Sequence, residues 1–303
     1  MPDNGNTYSL ININWDGLGQ ACSALIEKIS KAVGWVATHD TPSRIAVQQY
    51  IDAIQNSDLD PLIKAAKTSR AKRDIKEYCN QAKIISDAIP QINSTSDPSE
   101  IDDDWLAIFM DKIRFVSSNE LQAIWSRVLS QECNEPNSIS LKLVEILSYI
   151  STEQAKSFRQ ICQYCFDIYN IETKSSFAFF PLIADYYPKQ NIYFAQAKDL
   201  ESIGLISVAD SSFTLDISKL HFPYLIQIDG HKFAIEQIPD NSLPIGDIYF
   251  TSAGRSLCNL IDIQTPHGFL DICLNYWQDY DISLIEVFES PEAEEVGNTA
   301  TPN

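Results

Sequence analysis

Residues 104–158 constrain this chain more than any other stretch, because apolar side chains recur there at helical spacing and turn signals cut the run into pieces. Trp105, Ile108, Phe109 and Ile113 mark one helix. Leu121, Ile124, Trp125, Val128 and Leu129 mark a second, and Leu141, Leu143, Val144, Ile146, Leu147 and Ile150 a third. A fourth is expected to run through Ala155, Phe158, Ile161, Cys162, Cys165 and Phe166 as far as Tyr169. The starts carry helix-capping chemistry. Asp102, Asp103 and Asp104 precede the first helix, where carboxylates accept from free amides and oppose the positive end of the dipole, which favours capping over a metal site. Ser117 with Glu120, and Ser151 with Gln154, have capping-box spacing, and Ser138 or Ser140 is expected to cap the third helix.

The segments before this core divide in two. An amphipathic helix is expected over 17–37, opened by Asp16, with Leu18, Cys22, Leu25, Ile29, Val33 and Val36 on one face. Such a face suits packing, and peripheral membrane contact is the alternative. A helix over 43–55 and a turn at 57–61 lead to a third helix over 61–88, with Pro61 suited to its first turn. This third helix holds Lys64, Lys67, Arg70, Lys72, Arg73, Lys76 and Lys83, against Asp74 and Glu77 within the same span. It is the chain's basic patch and its candidate anion or nucleic-acid site. Tyr78 is the lone aromatic among these cations, a weak basis for base stacking. Residues 91–104, rich in Ser and Asp, read as a linker.

Beyond the core the pattern turns towards strands. Residues 175–188 read as a short aromatic helix stopped by Pro188, and 194–203 as a helix stopped by Gly204. Strands are expected at 213–217, 224–228, 232–237 and 247–250, with Asp229-Gly230 as a hairpin turn. Phe250-Thr251-x-x-Gly254 then opens a helix. A last helix and strand occupy 266–288, and the acidic tail 289–303 is too apolar-poor to fold. The helix–Gly–strand and strand–helix joins suggest a winged-helix-like module over 171–288.

Charge and cysteines narrow the function classes. Residues 1–100 hold ten Lys and Arg against twelve Asp and Glu, so −2; the remainder holds 12 against 29, so −17. An acidic surface repels phosphate backbones, which disfavours nucleic acid as the partner of the C-terminal two thirds. Seven cysteines, an odd number, and an N-terminus without export-signal character suggest reduced thiols in the cytoplasm. Cys162-Gln-Tyr-Cys165 lacks the second pair that a zinc site needs, and its expected place inside a helix makes it structural. His39, His221, His231 and His267 are scattered, and no phosphate-binding glycine loop or nucleophile elbow occurs. No cofactor and no metal is implied.

The spacing of Asp104, Trp105, Glu120, Leu121, Gln122, Trp125, Leu129, Glu132, Pro136, Ser138, Ser140, Leu141, Glu145, Leu147, Ser151, Ala155 and Phe158 resembles the bacterial family catalogued as domain of unknown function 2806. The likeness is strong over about 60 residues around 104–158 and weaker elsewhere. Ile150 stands where that pattern has Leu. The resemblance brings no reaction and no catalytic residue, and phage defence or mobile-element biology is the setting guessed for it. The expected fold is α+β and mostly α: N-terminal helices over 1–90, a helical core over 105–170, and the C-terminal module with a small antiparallel sheet. The expected function is a non-enzymatic interaction or regulatory protein with a protein partner. Alternatives are a nucleic-acid binder using the 64–83 cations, a membrane-acting effector using 17–37, and a homo-oligomer formed through the N-terminal helices.

Overall fold

A computed structural model describes residues 19–37, 44–169, 174–178, 194–219 and 225–287. It is α+β and mostly α, with ten α-helices and seven strands among the described residues. The chain divides into two compact units, residues 1–152 with 259–261, and residues 153–258 with 262–303.

The first unit is helical: α1 Gln20–Val33, α2 Arg44–Gln55, α3 Pro61–Ala88, α4 Asp103–Ile113, α5 Asn119–Asn134 and α6 Leu141–Tyr149. Its centre is aromatic. Trp105 stacks on Phe109 at 5.0 Å between ring centroids, and Phe109 meets Trp125 edge-on at 5.4 Å. The indole of Trp105 donates to the Ile139 carbonyl at 2.9 Å, so its one polar atom is satisfied inside the core. α1 packs against α4 and the 3-10 turn Pro98–Glu100, burying Cys22, Leu25 and Ile29. Burying side chains such as Leu25 and Ile29 contributes about 1.5–3 kcal/mol each. The Cys22, Leu25 and Ile29 part of the apolar face is therefore used in packing, whereas Val33 and Val36 at its end are exposed. This helix begins after Gly19, and Asp16 lies outside the described residues.

Asp102 caps α4, its carboxylate accepting from the Trp105 amide at 2.8 Å, and Ser140 caps α6 through the Leu143 amide at 3.3 Å. Asp103 pairs instead with Lys28 of α1 at 2.7 Å. The expected Ser117–Glu120 box does not form. Ser118 is the cap residue of α5, without a side-chain cap bond, and Gln122 secures the helix start by donating to the Val116 carbonyl at 2.9 Å. The 91–104 stretch is packed rather than free: Pro98 and Ile101 are buried, and Asn134 accepts from the Asn93 amide and the Ser96 hydroxyl.

The second unit contains α7 Thr152–Cys162, β1 Cys165–Tyr169, β2 Lys174–Ala178, α8 Phe194–Ser202, β3 Ile206–Asp216, β4 Leu225–Ile228, β5 His231–Gln237, β6 Ser242–Phe250, α9 Ser252–Asn259, α10 Phe269–Gln278 and β7 Ser283–Glu286. β2-β1-β4-β5-β7 form one antiparallel sheet and β3-β6 a second pair. Asp229 and Gly230 both take positive φ, as a two-residue type I′ hairpin requires, and join β4 to β5.

Two expectations change here. The helix through Cys165 stops at Cys162, and Cys165–Tyr169 is a strand. Tyr164, Phe166 and Ile168 are all buried and alternate with less buried neighbours, which is the strand period and not the helical one. Lys174–Ala178 is likewise a strand where a short helix was expected, and 179–193 lie outside the described residues. Residues 1–14 and the 289–303 tail also lie outside them. Between β3 and β6 the chain inserts β4 and β5, which pair with the other sheet.

Gly204-Leu205 after α8 and Thr251-x-x-Gly254 at the start of α9 lock onto each other. Thr251 Oγ1 lies within hydrogen-bonding distance of the Gly204 and Leu205 carbonyls, at 2.8 and 3.0 Å, and also accepts from the Gly254 amide at 3.1 Å. A Cβ on Gly254 would sit 1.9 Å from the Leu205 carbonyl oxygen. Only glycine allows the α9 backbone this close to the turn after α8.

Candidate interaction surface

α3 starts on a built cap. Asp60 accepts from the Leu62 amide at 2.8 Å and Pro61 fills the first turn. From there the helix is two different objects. Over 61–76 only Ala71 is buried. Over 77–88, Asn80, Ala82, Ile84, Ile85 and Ala88 are buried, and this half packs on α4 and α5.

The polar side chains of the packed half are taken up by the fold. Asn80 donates to the Arg114 carbonyl at 2.7 Å and Gln81 to the Met110 carbonyl at 2.9 Å. Glu77 pairs with Arg114 at 3.1 Å, and Lys83 pairs with Asp87. Tyr78 stacks on buried Trp35 at 5.4 Å and donates to the Val36 carbonyl at 2.9 Å, so its ring is committed to packing and is no platform for a base.

The exposed half differs. Arg70 pairs with Asp74 at 3.5 Å, a surface contact worth little. Lys64, Lys67, Lys72, Arg73 and Lys76 have no carboxylate within ion-pair distance among the described residues. All but half-buried Lys64 are exposed. α2 packs along α3 through Ile51, which is 5% exposed. The hairpin nevertheless leaves large apolar side chains outside: Leu62 is 77% exposed, Ile45 68%, Tyr50 58% and Ile63 45%. Six of the seven predicted cations thus share one stretch, 64–76, and Lys83 belongs to the packed half. Spacing along the sequence assigned no role to Ile45, Tyr50, Leu62 and Ile63. Their signal was the low contrast between the faces of α3.

Several residues of the family-like spacing are used in packing and capping. Trp105, Trp125 and Phe158 are buried core, Gln122 and Ser140 secure helix starts, and Asp104 lies in the first turn of α4. Glu120 and Leu141 are exposed, Pro136 and Ser138 lie in the α5–α6 loop, and Ser151 directly precedes α7. Glu132 is 1% exposed. Its carboxylate accepts from the amides of Asn137 at 2.7 Å and Ile139 at 2.9 Å, holding the loop between α5 and α6. Burial raises its pKa despite these donors.

In the second unit, α8 offers little to a duplex. Lys198 pairs with Glu201 at 2.8 Å, and Glu201 also accepts from the Val208 amide at 2.7 Å. Four residues of β3, 209–212, stand opposite Asp247 in a bulge, and Ser212 donates to the buried Asp247 at 2.8 Å. Tyr276 lies 3.3 Å from Ser212, and burial pushes its pKa up to about 12, so it is a neutral phenol at pH 7. The network ties β3, β6 and α10 together. Among the described residues, no group of three or more His, Cys, Asp or Glu is arranged to hold a metal ion. No helix there is long and apolar enough to cross a membrane.

An α+β protein with a cationic helical hairpin is the class these features define. The chain belongs to the family described as protein of unknown function (DUF2806), which it matches over residues 66–273. No curated protein and no solved structure matches it.

Proposed function

We propose that this protein is a non-enzymatic interaction protein whose α2–α3 hairpin docks on an acidic protein surface. One observation carries the reading: five cations of α3 lack a carboxylate partner among the described residues, beside four exposed apolar side chains, in a chain of net charge −19. Folding does not call for that concentration of positive charge, and exposed apolar groups beside it provide contact area for a bound partner. A protein partner fits better than a duplex, because Tyr78, the aromatic side chain of α3, is packed away and α8 pairs its lysine internally. A second copy of this chain is itself an acidic protein, with −17 over residues 101–303.

The test compares the full chain with a Lys72→Glu/Arg73→Glu variant. Binding to polyglutamate, and self-association by sedimentation, are measured at low and moderate salt. Binding that weakens with salt and is lost in the variant is expected. Tighter binding of duplex DNA than of polyglutamate at equal salt would replace this reading with nucleic-acid recognition. Turnover of nucleotides, nucleic acids or peptides by the purified protein would overturn the non-enzymatic assignment.

A further inference from the structure

Three cysteines come together inside the second unit, two from one Cys-x-x-Cys and the third 93 positions further on. Cys162 is the last residue of α7, Cys165 the first of β1, and Cys258 the penultimate residue of α9. The sulfurs of Cys165 and Cys258 are 3.8 Å apart, which is van der Waals contact. Cys162 is close enough for the Cys165 and Cys258 thiols to influence its ionisation. The break of the helix at Cys162 creates this arrangement. It turns the Cys-x-x-Cys spacing from two positions along one helix into the two sides of a helix–strand join.

We propose that Cys165 and Cys258 form an oxidisable pair, with Cys162 as a third thiol that can take over the bond. The oxidant is a hydroperoxide. The Cys165 sulfur attacks the outer peroxide oxygen and the O–O bond breaks. The hydroperoxide takes two electrons and leaves as an alcohol carrying the thiol proton, so Cys165 becomes a sulfenic acid. The Cys258 sulfur then attacks the Cys165 sulfur, the S–O bond breaks, and water departs with the Cys258 proton. A disulfide between β1 and α9 results. Attack by Cys162 on Cys165 moves the disulfide to the Cys162–Cys165 pair and frees Cys258.

Burial sets the rate and proximity sets the product. Desolvation raises the Cys162 and Cys165 pKa values well above the usual thiol value, so thiolate is scarce at neutral pH and oxidation is slow. Once a sulfenic acid forms, the sulfur in contact with it outcompetes distant thiols. The bond closes a loop between residues 165 and 258 and pins α9, the helix that carries the Thr251–Gly254 lock.

The folded chain is treated with excess hydrogen peroxide, unreacted thiols are alkylated in denaturant, and the digest is mapped by mass spectrometry. A Cys165–Cys258 cross-linked peptide is expected, with Cys162 alkylated, and a minor Cys162–Cys165 disulfide beside it. The oxidised protein unfolds at a higher temperature, and a dithiol reductant reverses the shift. Cys258→Ala leaves only the Cys162–Cys165 product, and Cys79, half-buried in the first unit, serves as an internal comparison. Oxidation that modifies Cys79 while all three clustered thiols stay free overturns the proposal, as does a cross-link that joins other cysteines. The polyglutamate assay does not involve these thiols, so the two proposals fail separately.

Discussion

Between Pro61 and Ala88 a single helix has a packed half and an exposed half, and the two show which charges the fold needs. In the packed half Glu77, Asn80, Gln81 and Lys83 each have a partner, three of them on α4 or the residue that follows it. In the exposed half, five cations have none among the described residues, and Leu62 and Ile63 face outward. Polar groups that folding uses are satisfied internally. Charges left outside serve solubility or a partner, and their concentration beside exposed apolar groups favours a partner.

The largest effect should come from the packed half. Ile84 is fully buried, so Ile84→Ala is expected to cost the first unit about 2–5 kcal/mol by urea unfolding. Asn80→Ala leaves the Arg114 carbonyl without its donor inside the helix packing and should cost about 1–3 kcal/mol in the same measurement. A loss as small as that of an exposed residue would dissolve the distinction between the halves.

Glu132 tests a buried charge against the exposed ones. Its folded pKa is raised above the unfolded value, so the native state holds the extra proton. The associated stability is fully present below the unfolded pKa and is lost as pH rises through the folded pKa. Glu132→Gln mimics the protonated acid. The urea midpoint of the wild type, relative to this variant, should therefore fall as pH rises from below 4.5 towards neutrality. A constant difference would place the carboxyl at its ordinary pKa. The smallest effect is expected from Lys72→Glu/Arg73→Glu, which should change unfolding by no more than about 0.5 kcal/mol while abolishing polyglutamate binding. A large stability loss would mean that those cations belong to the fold.

Much of the local structure was legible. The Asp102 and Ser140 caps and the Asp229-Gly230 turn act between residues two to four apart, so composition and spacing suffice to read them. Errors fell where two periods overlapped. Cys165, Phe166 and Tyr169 continue a helical spacing from α7, yet Tyr164, Phe166 and Ile168 alternate, and pairing with β2 and β4 decides for the strand. The 91–104 stretch looked like a linker because its residues are polar. Its packing rests on Pro98, Ile101 and hydrogen bonds to Asn134, about forty residues away.

The candidate site divides in the same way. The sequence by itself determined that the cations cluster on one helix and that Pro61 and Asp60 start it, because both follow from neighbours within a turn. Only the tertiary structure decided which half of α3 is covered, where Tyr78 is spent, and that Cys258 meets Cys165 across 93 positions. Those outcomes depend on contacts between distant segments, and helical periodicity describes a face without saying what will cover it.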